Sequence, residues 1–506
     1  MNPSNLVVIL SFLSTSVLAA DNCDFRLTSS GGYCICNSTY CDTVPPLVDL
    51  KSGEYQFYST SKTNLGFGSV TGKFSVNSFS EVTVTININN THQRIFGFGG
   101  AFTDATGINI KRLPEKAQEL LLEAYFGENG IQYSIGRVPI GGTDFSTKGY
   151  TYCDTEDETL AAFALQPEDN DYKIPFLKKA IQLRGQENIK FFASAWSAPI
   201  WMKTNDEYNG FGKIKDEYYA TWAYYYLKFF DAYKEQGIDF WAVTTQNEPI
   251  NGLIGTSVQN NGFSYDEMKI WIKDYLGPTI RNSTYSDIKI IAHDDQRFLI
   301  PLLNNYILSD EETVNYIDGI GVHWYTDFII PPEFLIYASS QYKDLFVLST
   351  EACIDSVTNQ GVVVDFGSWH RGERYLDDIM DDLSYDVIGW VDWNMVLNET
   401  GGPTWISNEV DSPIIVNGTD ESFYKQPMFY AIGHFSKFVV PNSIRVDADI
   451  DDTDVRVLAF VRPDEKIAVV LWNKSSDKKE VTVNILDKSG TVTLDPLSIN
   501  TLLYAK

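Results

Sequence analysis

Two glutamates carry the chemistry that this sequence can support. Glu248 stands in Asn247-Glu248-Pro249, at the end of the run Asp239–Pro249 (DFWAVTTQNEP), and Glu351 closes the run Asp344–Ala352 (DLFVLSTEA). Each follows a short apolar, β-branched segment, Phe240–Thr245 in the first case, of the kind that forms a strand buried on both faces. In a parallel barrel the carboxyl ends of the strands are the face where chemistry is done. The two glutamates are 103 positions apart. That is about three βα units, at the ~30–40 residues per unit of a ~250-residue barrel, so both would project into one mouth. Carboxyls paired across a cleft are the equipment of glycoside hydrolysis. One, protonated, helps the leaving oxygen depart; the other, ionised, attacks the sugar carbon or activates water. A solvated loop residue or an ion-pair partner explains one such glutamate more easily than two, each after a strand.

Positioning these residues requires a barrel, and the chain has the rhythm for one. From Arg94 onward apolar strand-like runs alternate with helix-like segments. Strands are expected at Ile95–Gly100, Tyr133–Pro139, Ile189–Ser194, Phe240–Thr245, Ile288–Ala292, Gly319–His323, the segment ending in Glu351, and Val387–Asp392. Helices are expected around Pro114–Phe126 and Tyr218–Glu235 between them, with a final one at Phe429–Val440. Eight strands in the α/β class predict a (β/α)8 TIM barrel over 95–394 with 427–442. A doubly wound open sheet would want a phosphate-binding glycine loop, and Phe96-Gly-Phe-Gly-Gly100 lacks that spacing. Residues 46–94 and 443–506 instead show short antiparallel-type β runs. They predict one β-sandwich built from both chain ends. Residues 21–45 form a disulfide-rich β head joined by 395–426.

Composition narrows the partners. Lys plus Arg number 39 against 67 Asp plus Glu, a net charge of −28, which repels nucleic acid and anionic membrane surfaces at neutral pH. Residues 1–20 read as a signal peptide, with the apolar core Leu6–Leu13 and a small-residue site before Asp21. Cys23, Cys34, Cys36 and Cys41 crowd the mature amino terminus; in a secreted chain they form two disulfides, with three pairings open. Asn37, Asn89, Asn282, Asn398, Asn417 and Asn473 match the glycan-acceptor pattern. The histidines His92, His293, His323, His370 and His434 are scattered without metal-ligand spacing, so no metal site is expected.

The blocks Thr245-Gln-Asn-Glu-Pro249, Ser349-Thr-Glu-Ala352, Ala195-Trp-Ser-Ala-Pro199, His323-Trp-Tyr325, Val391-Asp-Trp-Asn394 and Asp411-Ser-Pro-Ile-Ile415 resemble the glucosylceramidases, the acid β-glucosidases of glycoside hydrolase family 30. The resemblance runs over nearly the whole mature chain. It implies a retaining mechanism without a cofactor, with Glu248 as general acid/base and Glu351 as nucleophile. Asn247 would bond the sugar 2-hydroxyl, Tyr325 would position the nucleophile, and Asp144, Trp196, Trp393 and Asn408 would bind the glucose. Asp144 as a turn cap and the tryptophans as core are the plainer readings. For the strand tip Asp294-Asp295-Gln296-Arg297 an ion-pair network is favoured over substrate binding. The resemblance also implies the pairs Cys23–Cys34 and Cys36–Cys41, a glucosylceramide substrate at a lysosomal membrane, and a saposin-like activator, and it allows a homodimer. One departure is the loop Gly252–Gly262, which carries no aromatic residue where the family offers them near the site entrance. That bears on lipid recognition and activator docking more than on sugar cleavage.

Overall fold

The computed structural model describes residues 22–75, 78–339, 342, 344–355 and 361–506. The expected signal peptide lies outside the described residues. Eight parallel strands close a barrel: β1 (Gly97–Ala101), β2 (Ile135–Ile140), β3 (Lys190–Ala195), β4 (Ala242–Thr244), β5 (Lys289–Gln296), β6 (Gly319–His323), β7 (Phe346–Glu351) and β8 (Val387–Asn394). Each bonds to the next, and β8 bonds back to β1. The strands are apolar along their length because outward side chains meet helices and inward ones meet each other. The inward layer contains Ile135, Phe192, Ala242, Ile291, Leu348 and Val391, all buried. At the amino ends the rings of Phe96 and Trp241 stack at 4.0 Å, with Phe346 at 5.3 Å from Trp241. The floor is therefore packed shut, and the polar side chains gather at the carboxyl ends.

β4 and β5 depart most in length from expectation, for local reasons. β4 is only three residues long. Phe240 instead turns outward onto Phe229 and Tyr233 of helix Tyr219–Glu235, with centroids 5.0 and 5.5 Å away. β5 runs past Ala292 to Gln296 through a bulge between His293 and Asp295. His293 and Asp294 there have φ of 78° and 53°. A bulge re-aims the side chains of its strand, and this one brings Asp294 and Gln296 to the barrel mouth.

Strands from both chain ends share one nine-stranded sheet. Val82–Arg94 lies between Ile444–Ile450 and Lys479–Ile485, and Glu54–Ser61 pairs with Ser498–Tyr504. Helix Pro427–Ser436 fastens the barrel to this sheet: the buried His434 ring sits between the hydroxyls of Thr501 (2.8 Å) and Thr60 (3.0 Å). Asp24–Leu27 and Gly32–Asn37 join three strands between Val396 and Lys425 in a five-stranded sheet, and disulfides link Cys23 to Cys34 and Cys36 to Cys41. Among the described residues no helix is long and apolar enough to cross a membrane.

The glycan acceptors separate by exposure. Asn89 and Asn282 are exposed, and Asn37 and Asn398 are half-buried. Asn417 and Asn473 are buried, with their amide nitrogens committed. Asn417 donates to Glu399, Asp420 and Tyr424, and Asn473 to the carbonyls of Asp477 and Asp495. A glycan on either nitrogen would displace these bonds from the interior, so the expectation at these two positions is withdrawn.

Candidate active site

Polar residues from β2, β4, β5, β6 and β7 meet at the mouth. The chain turns sharply after β4, where Glu248 has φ of 38°, in the left-handed region. Its amide donates to the Asp294 carbonyl (2.9 Å) and its own carbonyl accepts from the Asn251 amide (3.0 Å). Such a conformation costs a non-glycine residue of order 1–3 kcal/mol and clusters at functional sites. The turn delivers the Glu248 carboxyl to three donors. Oε1 accepts from His323 Nδ1 (2.9 Å) and Gln296 Nε2 (2.7 Å), and Oε2 from Asn251 Nδ2 (2.6 Å).

Glu351 is the last residue of β7 and is buried. Its Oε1 accepts from the Tyr325 hydroxyl (2.6 Å), and its Oε2 is ion-paired with Arg137. One oxygen of Glu248, one nitrogen of His323 and one oxygen of Glu351 lie within 4.8 Å of one another. The two glutamates thus face each other across a single imidazole.

Arg137 and His323 hold this arrangement, and neither was singled out from the sequence. Arg137 projects from β2 and is fully buried; its Nη2 donates to Asp294 (2.9 Å) and Asn247 (2.8 Å). Its guanidinium lies 4.9 Å from the Trp196 ring centre and 5.5 Å from that of Trp393. A buried charge must be paired, and Arg137 is the only charged residue in the run Ile135–Ile140. That solitary charge in a buried strand was the readable signal. His323 ends β6 as Glu351 ends β7. Its Nε2 bonds to Asp294 (3.0 Å) while Nδ1 bonds to Glu248. Burial alone would lower its pKa, but Glu351, Asp294 and the two hydrogen bonds push it up to about 10, so the ring is an imidazolium. Burial would raise Asp294, but Arg137 and His323 hold it well below the usual carboxylate range. Glu351 is raised by burial, against the pull of Arg137 and His323.

The other expected residues distribute around this core. Asn247 has its Oδ1 committed to Arg137, which leaves Nδ2 as a donor with no acceptor among the described residues. Trp196 and Trp393 stack on each other at 5.0 Å, and both are nearly fully buried. They form a wall, not free platforms. Asp144 accepts from Asn408 Nδ2 (2.6 Å), and burial pushes its carboxyl up to about 7 against that bond. The β5 tip divides. Asp294 and Gln296 serve the site, while Arg297 pairs behind it with Asp382 and Asp327. Trp324 turns away and donates to the Cys353 carbonyl (2.7 Å). Glu248, His323 and Glu351 are close enough to converge on one cation. His323 already spends both nitrogens on carboxylates, however, and has no lone pair for a metal.

Residues 95–439 match the family model described as the glycosyl hydrolase family 30 TIM-barrel domain, and residues 442–502 match the glycosyl hydrolase family 30 beta sandwich domain. The lysosomal acid glucosylceramidase of Mus musculus is 40% identical over 509 residues, covering 98% of each chain. Among solved structures, SrfJ from Salmonella typhimurium superposes with a TM-score of 0.83 at 26% identity, over 90% of this chain and 100% of that one. The endo-beta1,6-glucanase BT3312 does so with a TM-score of 0.79 at 26% identity, over 89% of this chain and 100% of that one.

Proposed function

The chain belongs to glycosyl hydrolase family 30, and we propose that it is a retaining β-glucosidase that hydrolyses glucosylceramide to glucose and ceramide by double displacement. The approach of Glu248 and Glu351 oxygens to within 4.8 Å carries the reaction type. A retaining pair stands ~5–5.5 Å apart, whereas an inverting pair needs ~6.5–9.5 Å to admit a water between its members.

In this reading Glu351 attacks the anomeric carbon while Glu248 protonates the glycosidic oxygen, and ceramide departs as the covalent glucosyl-enzyme forms. Glu248 then takes a proton from water, whose oxygen displaces Glu351 and releases glucose. The contacts support this division of roles. Glu351 has a guanidinium directly on Oε2 and a phenol on Oε1, which favour the ionised nucleophile. Glu248 has no guanidinium contact, and its Oε2 has a single donor, Asn251, leaving a lone pair for the transferred proton. Asn247 Nδ2 is free to donate to the sugar 2-hydroxyl, a bond that strengthens in the transition state. Asp144 with Asn408, and the Trp196–Trp393 wall, would grip the rest of the ring.

The likeness to the mouse lysosomal enzyme supports glucosylceramide as substrate and the lysosome as destination. Peripheral contact with membrane lipid, a saposin-like activator and a homodimer belong to the same reading. So do glycans at Asn37, Asn89, Asn282 and Asn398, and the division into head, sandwich and barrel segments. The likeness to an endo-beta1,6-glucanase supports a second reading, cleavage of a β-linked glucan. Turnover of glucosylceramide in anionic vesicles at about pH 5, beside an aryl β-glucoside and a β-1,6-glucan, separates the two. Cleavage of the lipid and the aryl glucoside is expected. Cleavage of the glucan without the lipid would overturn the substrate.

A further inference from the structure

Behind the Glu248 turn lies a cavity of about 330 Å³ that none of the sugar-side residues lines. Its walls are mostly apolar, with Pro249, Leu253, Phe263, Met268 and Ile307 among them, and the carboxyls of Asp266 and Asp295 belong to lining residues too. At its edge Leu302 and Tyr306 are 40% and 43% exposed, so the cavity opens to solvent through an apolar rim. The volume is within the ~300–1,000 Å³ of small-molecule sites.

One buried polar side-chain atom among its lining residues has no hydrogen-bond partner among the described residues. His293, nearly fully buried, points Nε2 at the Gln296 carbonyl (3.2 Å). A carbonyl only accepts, so Nε2 carries the hydrogen. Burial lowers the ring to about 4, and it is neutral above that. Nδ1 is then a bare acceptor, buried and without a hydrogen bond among the described residues. The neighbouring Asp295 is already occupied, accepting from the amides of Ile250 (3.3 Å) and Gln296 (2.8 Å). Buried acceptors are normally satisfied, so an apolar cavity with one such atom is shaped for an apolar body that brings a donor.

We propose that this cavity binds the apolar chain of an amphiphile, and that His293 Nδ1 accepts a hydrogen bond from its amide N–H or hydroxyl. The chain can come from the substrate's own lipid portion or from a separate amphiphile; the chemistry is shared. Occupancy would be felt at the reaction. The short helix Asn251–Ile254 that walls the cavity through Leu253 also carries Asn251, whose amide holds Glu248 Oε2.

The test is calorimetric titration of the full chain with decanamide and with N,N-dimethyldecanamide, which has no N–H. Wild type should bind decanamide about tenfold more tightly, the worth of one hydrogen bond. His293→Phe should erase the preference, and Leu302→Trp, at the half-exposed rim, should weaken both ligands. Failure of either amide to bind wild type, equal affinities, or a preference that survives His293→Phe would overturn the proposal. If His293→Phe does not fold, the wild-type preference and the weakening of both ligands by Leu302→Trp still decide. The source of the chain rests on the glucosylceramidase reading. A raised KM for glucosylceramide in Leu302→Trp, with the aryl glucoside unaffected, assigns the cavity to the substrate's lipid. An unchanged KM, with decanamide altering aryl-glucoside turnover, assigns it to a separate amphiphile. Loss of the glucosylceramide reading alone would leave the binding result standing.

Discussion

Arg137 and Glu351 form an ion pair at the floor of the mouth, the guanidinium wholly removed from solvent and the carboxylate nearly so. The same guanidinium reaches Asp294 and Asn247, so one side chain from β2 sets three residues from β4, β5 and β7. Breaking such a pair strands a buried charge, at a cost of about 3–5 kcal/mol. Arg137→Met should therefore lower the melting temperature and cut kcat/KM on an aryl glucoside by at least about a hundredfold. Arg137→Lys keeps the charge but loses the fork, and should recover stability more than activity. Thermal melts beside steady-state kinetics check this; equal recovery of both would mean that charge alone is needed.

The two glutamates should fail differently. Glu351→Gln removes the attacking group and should abolish turnover of every substrate with the fold intact by circular dichroism. Glu248→Gln removes proton transfer, worth about 10²–10⁴-fold. Its loss should be large for an alkyl glucoside and small for a dinitrophenyl glucoside, whose leaving group needs no proton. Equal losses on both would remove Glu248 from the acid role.

Tyr325 donates to Glu351 at 2.6 Å, a bond to a charged group worth about 1.5–3 kcal/mol. Tyr325→Phe should lower kcat about ten- to hundredfold with little change in KM. Losing a donor to the carboxylate also raises the Glu351 pKa further. The acid limb of kcat/KM, where the nucleophile takes up a proton, should move to higher pH. A fall in kcat without that movement would make Tyr325 a packing residue only.

The barrel was legible because parallel strands buried on both faces are apolar along their length, and β6 lies where the periodicity puts it, at Gly319–His323. Glu248 and Glu351 were legible because each ends such a run. Gln296 as a partner of Glu248 was not, because the strand pattern stops at Ala292. Only the bulge at His293–Asp295 carries β5 on to the mouth. In the sequence His323 is one of five scattered histidines and opens the block His323-Trp-Tyr325; its importance comes from register across β5, β6 and β7, which no single stretch of sequence contains. The burial of Asn473 was hidden for a related reason. Its amide bonds to carbonyls on a loop more than twenty positions away as well as close by.

Stability should be greater in acid than at neutral pH, because most of the buried groups that titrate between them are raised carboxyls. Burial raises Asp144 to about 7 and, against the pull of Lys173, Asp104 to about 6; it also raises Asp295 and, well beyond the usual range, Asp392. A raised carboxyl contributes stability that is fully present below the ordinary value of ~4 and is lost as pH rises through the folded value. His323, raised to about 10, loses its contribution in the same direction, above its ordinary ~6.5. His293 and His434, lowered by burial to about 4 and about 3, oppose this: their contribution is present above ~6.5 and lost as pH falls through those values. Between pH 5 and pH 8 the carboxyls outnumber these histidines, and each shift is worth about 1.4 kcal/mol per unit. The melting temperature should fall by several degrees, of order 5 °C, from pH 5 to pH 8. Asp144→Asn, which mimics the protonated form, should remove part of that fall. A melting temperature that rises toward pH 8 would mean that these carboxyls are ionised throughout. The acid side of the mouth would then be set by Glu248 and Glu351 alone.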